Sequence, residues 1–345
     1  RGLGDVYKRQ VLGMASWPFF DPNRYTEYPP EIYGRNAAIS DQYEPGSTFK
    51  AINLAIGLQA KAYTLNSVVS DPGFIERAPG CCSNWNGAGH APMTPENVIF
   101  YSSNVGALQY AEIAGQETYY QGIEDFGYGA PSGIELGGEE GGIVQWPATT
   151  YDWRPIVHST NGYGQGISVT PLQHVRGIAA IANGGKIMQP YIIKEWCEKG
   201  ECHATEPKVL REVISPEVSS AIAAMMVRVA NGNYAFAPGM WYAQCSGFYD
   251  GVGSGVPLIP GYNVAAKTGT SSIPNGQGGY ENATMGSIAG FAPAEKPAFA
   301  VLVKLDRTKD IWGVSAIPVY ARTMSRLLSH GHIPPNPELV AECQK

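Results

Sequence analysis

Apolar residues recur at helical spacing through the middle of the chain and run as extended stretches near its two ends. Residues 11–16 predict a first strand, closed by Pro18 and the Asp21-Pro22-Asn23 turn. Residues 24–46 are rich in Tyr, Pro and Gly and read as an extended loop. A helix is predicted from about Ser47, because Pro45 and Gly46 break the chain before it and Phe49, Ile52 and Ile56 recur beyond it at helical spacing. Residues 71–92, with Gly, Cys and Trp, read as a loop, less familiar in kind and able to reshape a groove. Val98, Ile99, Val105, Leu108 and Ile113 predict a helical stretch over 95–115, followed by Gly-rich loops over 127–166. Pro171 fits the first turn of a helix to Ala182, stopped by Asn183-Gly184-Gly185. Another helix is predicted over 215–230, with Ser215 as cap, Pro216 as first residue and Asn231-Gly232 as stop.

The last third reads as sheet. Strands are predicted over 262–270, 284–291 and 299–305, the last two joined through Pro293-Ala294-Glu295-Lys296-Pro297, with a helix over 316–329. A strand first, helices in the middle, and strands with a helix last predict an α+β domain whose sheet is completed by both chain ends. Residues 1–10 show no continuity with the strand that opens at Val11 and are expected to be an extraneous or truncated edge. The domain is expected to span 11–335, with a tail over 336–345. A further stretch over 233–261, rich in Gly and Tyr, reads as a long insert.

Composition narrows the function classes. With 345 residues and 44% apolar content, the chain has enough material for one large domain or two small ones. Glycine (42) and tyrosine (20) are abundant, which suggests many turns and a broad surface groove. Charged content is 16%, net charge is -6 and no basic run occurs, so nucleic-acid binding is disfavoured. No apolar stretch approaches the roughly 18 residues of a membrane span, and no signal peptide is visible. The chain therefore reads as cytosolic or as a fragment without its anchor.

Six cysteines stand at 81, 82, 197, 202, 245 and 343, without metal-site spacing. Cys197 and Cys202 flank a Glu-Lys-Gly-Glu turn, which suits either a hairpin disulfide or two free thiols. The six histidines (90, 158, 174, 203, 330 and 332) show no His-Glu-x-x-His pattern, and His330 and His332 are expected in a C-terminal loop. Neither a metal nor a cofactor is expected.

Three short segments carry chemistry. In Glu44-Pro45-Gly46-Ser47-Thr48-Phe49-Lys50, a helix starting at Ser47 brings Lys50, three residues on, to the same face. A serine hydroxyl is a poor nucleophile until a neighbour takes its proton, and lysine can do so once burial or a second cation lowers its pKa. Alone, this is better explained as a capping serine near a surface lysine. In Ser102-Ser103-Asn104, a hydroxyl can relay a proton and an amide can hold a carbonyl or the lysine; alone, a helix break explains it better. In Lys267-Thr268-Gly269-Thr270, an edge strand can bind an extended substrate, Gly269 permits close approach and Lys267 offers a charge for a carboxylate. Alone, it is an edge strand protected by a lysine. Ser-x-x-Lys, Ser-Asp-Asn and Lys-Thr-Gly form the known signature of β-lactamases and penicillin-binding proteins, and here Ser103 stands at the middle of the second.

With these motifs, the chain resembles the transpeptidase domain of class B penicillin-binding proteins, which cross-link peptidoglycan during elongation or division. The likeness extends to Met14-Ala15-Ser16 with Asp21-Pro22-Asn23, to Tyr43 through Lys50, to Gly164 through Gln173 and to Gly290-Phe291-Ala292-Pro293. It covers roughly residues 11 to 335. It implies a β-lactamase/transpeptidase-like α+β fold: a central antiparallel sheet flanked by helices, with a largely helical subdomain inserted.

The resemblance also implies roles. Ser47 is the residue acylated by a D-Ala-D-Ala stem peptide and Lys50 its base. Ser102 passes a proton to the leaving D-Ala, and Asn104 positions Lys50 and the substrate. Lys267 and Thr268 bind the terminal carboxylate, and Gly269 and Thr270 complete the substrate strand. The N–H groups of Ser47 and Thr270 form the oxyanion hole. Implied partners are peptidoglycan stem peptides, β-lactams and a glycan polymerase, at the extracytoplasmic face of a bacterial membrane. Ser103 stands at the variable middle position of the second motif. Two rivals share the motifs: a β-lactamase or β-lactam sensor, for which Glu139 and Glu140 are candidate water activators, and a non-catalytic scaffold.

Overall fold

The computed structural model describes residues 2–5, 10–77, 80–232, 258–275, 277, 279–308 and 316–342. The elements that position the groove, in chain order, are β1 (Gly2–Asp5), β2 (Val11–Met14), α1 (Lys50–Gln59), β3 (Val69–Asp71), β4 (His90–Met93), α2 (Pro95–Tyr101), α3 (Asn104–Ala114), α4 (Gln116–Asp125), α5 (Pro171–Ala182), α6 (Pro216–Gly232), β5 (Ala265–Pro274), β6 (Tyr280–Ala292), β7 (Phe299–Thr308) and α7 (Ala316–His330).

A five-stranded antiparallel sheet runs in the order β5-β6-β7-β1-β2. Ala300 to Val303 in β7 are buried at four successive positions, so both faces of the sheet are covered there. Helices α5 and α7 both pack against β6 and β7. All twelve residues of α5 are buried, which marks it as a central helix rather than a surface one. Its start is set by a capping box: Thr170 Oγ1 accepts from Gln173 N–H, and the Gln173 side chain accepts from Thr170 N–H. The helical half is built around α1, which packs against α3, α4 and α6. The sheet-plus-helices architecture is the α+β class expected from the element order.

The structure differs from the sequence expectations in several places, among them residues 24–46, expected as an extended loop, which hold a 3-10 turn (Pro22–Glu27) and two one-turn helices (Pro30–Tyr33 and Ala37–Ser40). Gly2–Asp5 pairs with β7 on one side and β2 on the other, so the separation of residues 1–10 from the domain does not hold for these four; Gly-Leu-Gly-Asp offers no alternation to reveal a strand. The helix predicted from Ser47 begins as a 3-10 turn, Gly46–Phe49, before α1 takes over at Lys50. The predicted 95–115 helix is two helices, broken at Ser102 and Ser103. Helix α4 has no counterpart among the predicted elements; it buries only Tyr119, Tyr120 and Ile123 among polar residues. The 71–92 loop opens and closes on a short ladder between β3 and β4. Of the long insert, residues 233–257 lie outside the described residues, as do Cys245, Cys343 and the end of the tail.

Cys197 and Cys202 form a disulfide across an exposed hairpin, Glu195–Glu198 with Glu201–Ala204. Cys81 and Cys82, adjacent in sequence, are also joined. His330 ends α7 rather than lying in the loop beyond it. Among the described residues, no helix is long and apolar enough to cross a membrane.

Candidate active site

The three motif segments converge on one groove of about 520 Å³, lined by Gly46, Ser47, Ser102, Asn104, Thr268 and Thr270. That size suits a peptide end or a small ligand. Ser47 sits on the second residue of the 3-10 turn, and its N–H falls in the first turn, where no intrahelical acceptor exists. Gly46 precedes it at φ +55, a conformation that favours glycine.

The close approach of three backbones makes this corner. Gly46 N–H donates to Gly164 O at 2.9 Å. A Cβ on Gly46 would lie 2.7 Å from Thr270 O, and one on Gly269 would lie 2.7 Å from Pro45 O. The nucleophile turn, the 164–166 stretch and β5 are therefore packed main chain to main chain. Glu44 adds a further tie: its Oε1 accepts from Gly166 N–H at 2.8 Å. Burial raises the Glu44 pKa, and the Gly166 bond works against that rise.

Lys50, the first residue of α1, is fully buried. Its Nζ lies 2.8 Å from Ser47 Oγ, 2.7 Å from Ser102 O, 2.8 Å from Asn104 Oδ1 and 3.2 Å from Ser102 Oγ. Burial drives its pKa well below that of an ordinary lysine; Lys267 pushes it the same way, and Asp71 opposes. Lys267 is also fully buried, and its pKa is likewise held well below normal by desolvation. Its Nζ donates to Ser102 Oγ at 3.1 Å and to Thr268 O at 2.9 Å. Ser102 Oγ thus stands between the two amines.

The break between α2 and α3 creates this position. Ser102 takes the left-handed conformation (φ 53) and ends α2, and Ser103 caps α3, its Oγ accepting from Gly106 N–H at 2.7 Å. Ser102 is thereby turned toward the lysines while Ser103 is buried. Among the described residues, strand β5 is the edge of the sheet and pairs with β6, with Lys267 opposite Ala289 and Thr270 opposite Gly286. Thr268 and Thr270 line the groove, whereas the bare face of Gly269, expected to admit substrate, is taken up by Pro45 O, Thr48 and Ser287.

Behind the nucleophile turn, His174 of α5 reaches Thr48 Oγ1 at 2.7 Å through Nε2 and Tyr128 OH at 3.1 Å through Nδ1. Thr48 Oγ1 donates to Pro45 O at 2.7 Å, so the Nε2–H tautomer satisfies every group in the chain. Burial lowers the His174 pKa to about 3.

Residues not singled out from sequence also belong to the site. Phe74, Trp85 and Tyr163 line the groove, as does the largely buried Asn84, and Asp71 lies buried behind it. The Gly-Cys-Trp composition of 71–92 marks a loop, but nothing in it shows which side chains turn inward. Glu139 accepts from Ser132 N–H, Ser132 Oγ and Gly133 N–H, and Glu140 accepts from Gln42 Nε2 at 3.4 Å. Neither is among the groove-lining residues, so neither is placed to activate a water there.

Comparison with known proteins gives the family. The profile of the penicillin binding protein transpeptidase domain matches residues 3–325. Stage V sporulation protein D of Bacillus subtilis is 34% identical over 322 residues, 91% of this chain and 46% of the relative. Peptidoglycan D,D-transpeptidase FtsI of Escherichia coli K12 is 30% identical over 345 residues, 97% of this chain and 52% of the relative. The crystal structure of penicillin binding protein 3 from Mycobacterium tuberculosis complexed with ampicillin superposes with a TM-score of 0.83 at 27% identity, over 97% of this chain and 73% of that one. The chain spans about half the length of the curated relatives it matches. With its motifs gathered at one groove and the profile matched along most of its length, the chain belongs to the penicillin-binding protein transpeptidase domain family.

Proposed function

We propose that the chain is the transpeptidase part of a peptidoglycan D,D-transpeptidase that works through an acyl-enzyme on Ser47 and is trapped by penicillins. The observation that carries this is a fully buried Lys50 amine 2.8 Å from Ser47 Oγ. A neutral amine has two N–H donors and one lone pair. Ser102 O and Asn104 Oδ1 accept the two protons, which leaves the lone pair for the Ser47 hydroxyl. Burial and Lys267 favour that neutral form.

Ser47 Oγ attacks the carbonyl carbon of the penultimate D-Ala while its proton passes to Lys50 Nζ. The oxyanion develops between the N–H groups of Ser47 and Thr270. Ser102 Oγ, within reach of both amines, hands a proton to the leaving D-Ala nitrogen as the C–N bond breaks. The amine of a second stem peptide then attacks the ester and frees Ser47. Lys267 and Thr268 receive the terminal carboxylate, and the extended donor lies along β5, while Gly269 makes room for Pro45 O of the nucleophile turn rather than for the donor. A β-lactam undergoes the same first step, but its leaving group stays tethered and the ester persists.

The parent protein acts at the extracytoplasmic face of the bacterial membrane, alongside a glycan polymerase. The test is labelling with a fluorescent penicillin. The unmodified protein should form a long-lived adduct, and Ser47→Ala should form none. Equal labelling of both would overturn the site, and rapid turnover of the adduct would overturn the transpeptidase reading in favour of a β-lactamase.

A further inference from the structure

Asn104 does not hold itself in place. Its side chain presents Oδ1 to Lys50, and its Nδ2 donates to Ser83 O at 2.9 Å, which fixes the amide the right way round. Its backbone N–H donates to Asn84 Oδ1 at 2.8 Å, and Val105 N–H reaches the same oxygen at 3.2 Å. Asn84 thus supplies an acceptor for the first N–H groups of α3, which have none within the helix. Asn84 Nδ2 in turn donates to Asp71 Oδ1 and Oδ2 at 2.8 and 2.9 Å, and to Ala88 O at 2.9 Å. Asp71 also accepts from Ser103 Oγ at 2.6 Å and from Gly73 N–H at 2.9 Å.

Asp71, Asn84 and Ser103 are all buried. A buried carboxylate that meets donors alone is held by position and costs much if one donor is lost. The same anion lies close enough to Lys50 to act on it, with opposite sign to Lys267.

We infer that Asp71, Asn84 and Ser103 form a buried positioning set that holds the Asn104 amide, and through it Lys50, in the reactive geometry. The inference rests on the acyl-enzyme reading and deepens it. None of the three touches the reacting atoms. Ser103 is thus the anchor of the second motif, and the 71–90 loop exists in part to bring Asp71 and Asn84 beneath it. The charged groups that act on Lys50 are Lys267, on β5, and Asp71, at the end of β3; Ser47, Ser102 and Asn104 meet it as neutral groups.

The experiment compares the unmodified chain with Asp71→Asn, Asn84→Ala and Ser103→Ala. It measures thermal stability, the penicillin acylation rate constant separately from the dissociation constant of the preceding complex, and the Lys50 titration by NMR of labelled lysine. All three variants should lose about 10- to 100-fold in the acylation rate constant, with the dissociation constant little changed, because a misplaced base costs chemistry rather than binding. Asp71→Asn should also lower the Lys50 pKa, since it removes the anion that favours the charged amine. Lys50 must be neutral to act, so the acid limb of the acylation profile moves to lower pH. Asn84→Ala carries no charge change and should leave that limb nearly in place.

Folded variants with an unchanged rate constant and an unmoved Lys50 titration would overturn the inference, as would a loss that merely tracks the folded fraction. Should Asp71→Asn not fold, the rate constants of Asn84→Ala and Ser103→Ala decide. Should the unmodified chain fail to label, the functional reading falls, and the NMR signals of the Lys50 and Asn104 side chains in the charge-neutral variants Asn84→Ala and Ser103→Ala, displaced if the set positions them and unmoved if it does not, still decide the inference.

Discussion

The groove has two walls, and they are held by different forces. The strand wall, β5, is fixed by its main-chain ladder to β6 and by backbone contacts that leave no room for a Cβ at Gly46 or Gly269. The helical wall, at the α2–α3 break, is fixed by side-chain hydrogen bonds running from Ser103 and Asn104 through Asn84 to Asp71. Size is the vulnerability of the first and polarity that of the second. The walls also act on Lys50 with opposite sign, since Lys267 comes from β5 and Asp71 from the loop beneath α3.

The largest expected effect comes from the strand-wall cation. Lys267→Ala removes a charge that favours neutral Lys50 and the donor to Ser102 Oγ. The Lys50 pKa should rise, which shifts the acid limb of the acylation profile to higher pH, opposite to Asp71→Asn. The second-order acylation rate should fall about 10²- to 10³-fold. Stopped-flow acylation across pH reads both, and an unmoved limb would show that Lys267 does not tune Lys50.

Gly269→Ala comes next. Its Cβ would meet Pro45 O and Ser287 Oγ at 2.7 Å, and Pro45 O is main chain, so the strand or the nucleophile turn must shift. Stability should fall by about 1–3 kcal/mol and acylation by about 10- to 100-fold. Denaturant melts and labelling rates check this; wild-type values in both would show the contact to be soft.

The smallest effect at neutral pH is expected behind the nucleophile turn, where a difference emerges only on acidification. His174 has its folded pKa depressed to about 3, against an unfolded value of about 6.5. The unfolded chain therefore binds the proton more readily as pH drops. The contribution of His174 is complete above about pH 6.5, declines below it and is gone once pH falls through about 3. The slope of unfolding free energy against pH should flatten between these limits in His174→Gln relative to the unmodified chain. Parallel slopes would mean that His174 titrates normally.

The walls also differ in how legible they are in the sequence. The Lys267–Thr270 segment lies on its predicted strand because extended apolar runs and the Pro-containing turn after them are local signals. Helix α5 matches its predicted span because Pro171 and the Asn183-Gly184-Gly185 stop are local too. The helical wall depends on a left-handed Ser102, which no propensity favours, so apolar spacing alone reads straight through it. Asp71 and Asn84 carry no local signal, because their partners are distant in sequence and are brought near only by folding. The start of α1 lies three residues beyond its predicted place because the 3-10 turn shares its spacing with a helix, yet Ser47 and Lys50 still meet.

The backbone junction of Gly46, Gly164 and Gly269 bears on how such a groove can diversify under selection by β-lactams. At each of these positions any side chain must displace main chain of the junction itself, so change there disturbs the nucleophile turn rather than reshaping the pocket. Variation that reshapes the groove has to come from its rim, where Phe74 and Trp85 are exposed and can change without moving that main chain. The junction confines adaptation to the edge of the groove.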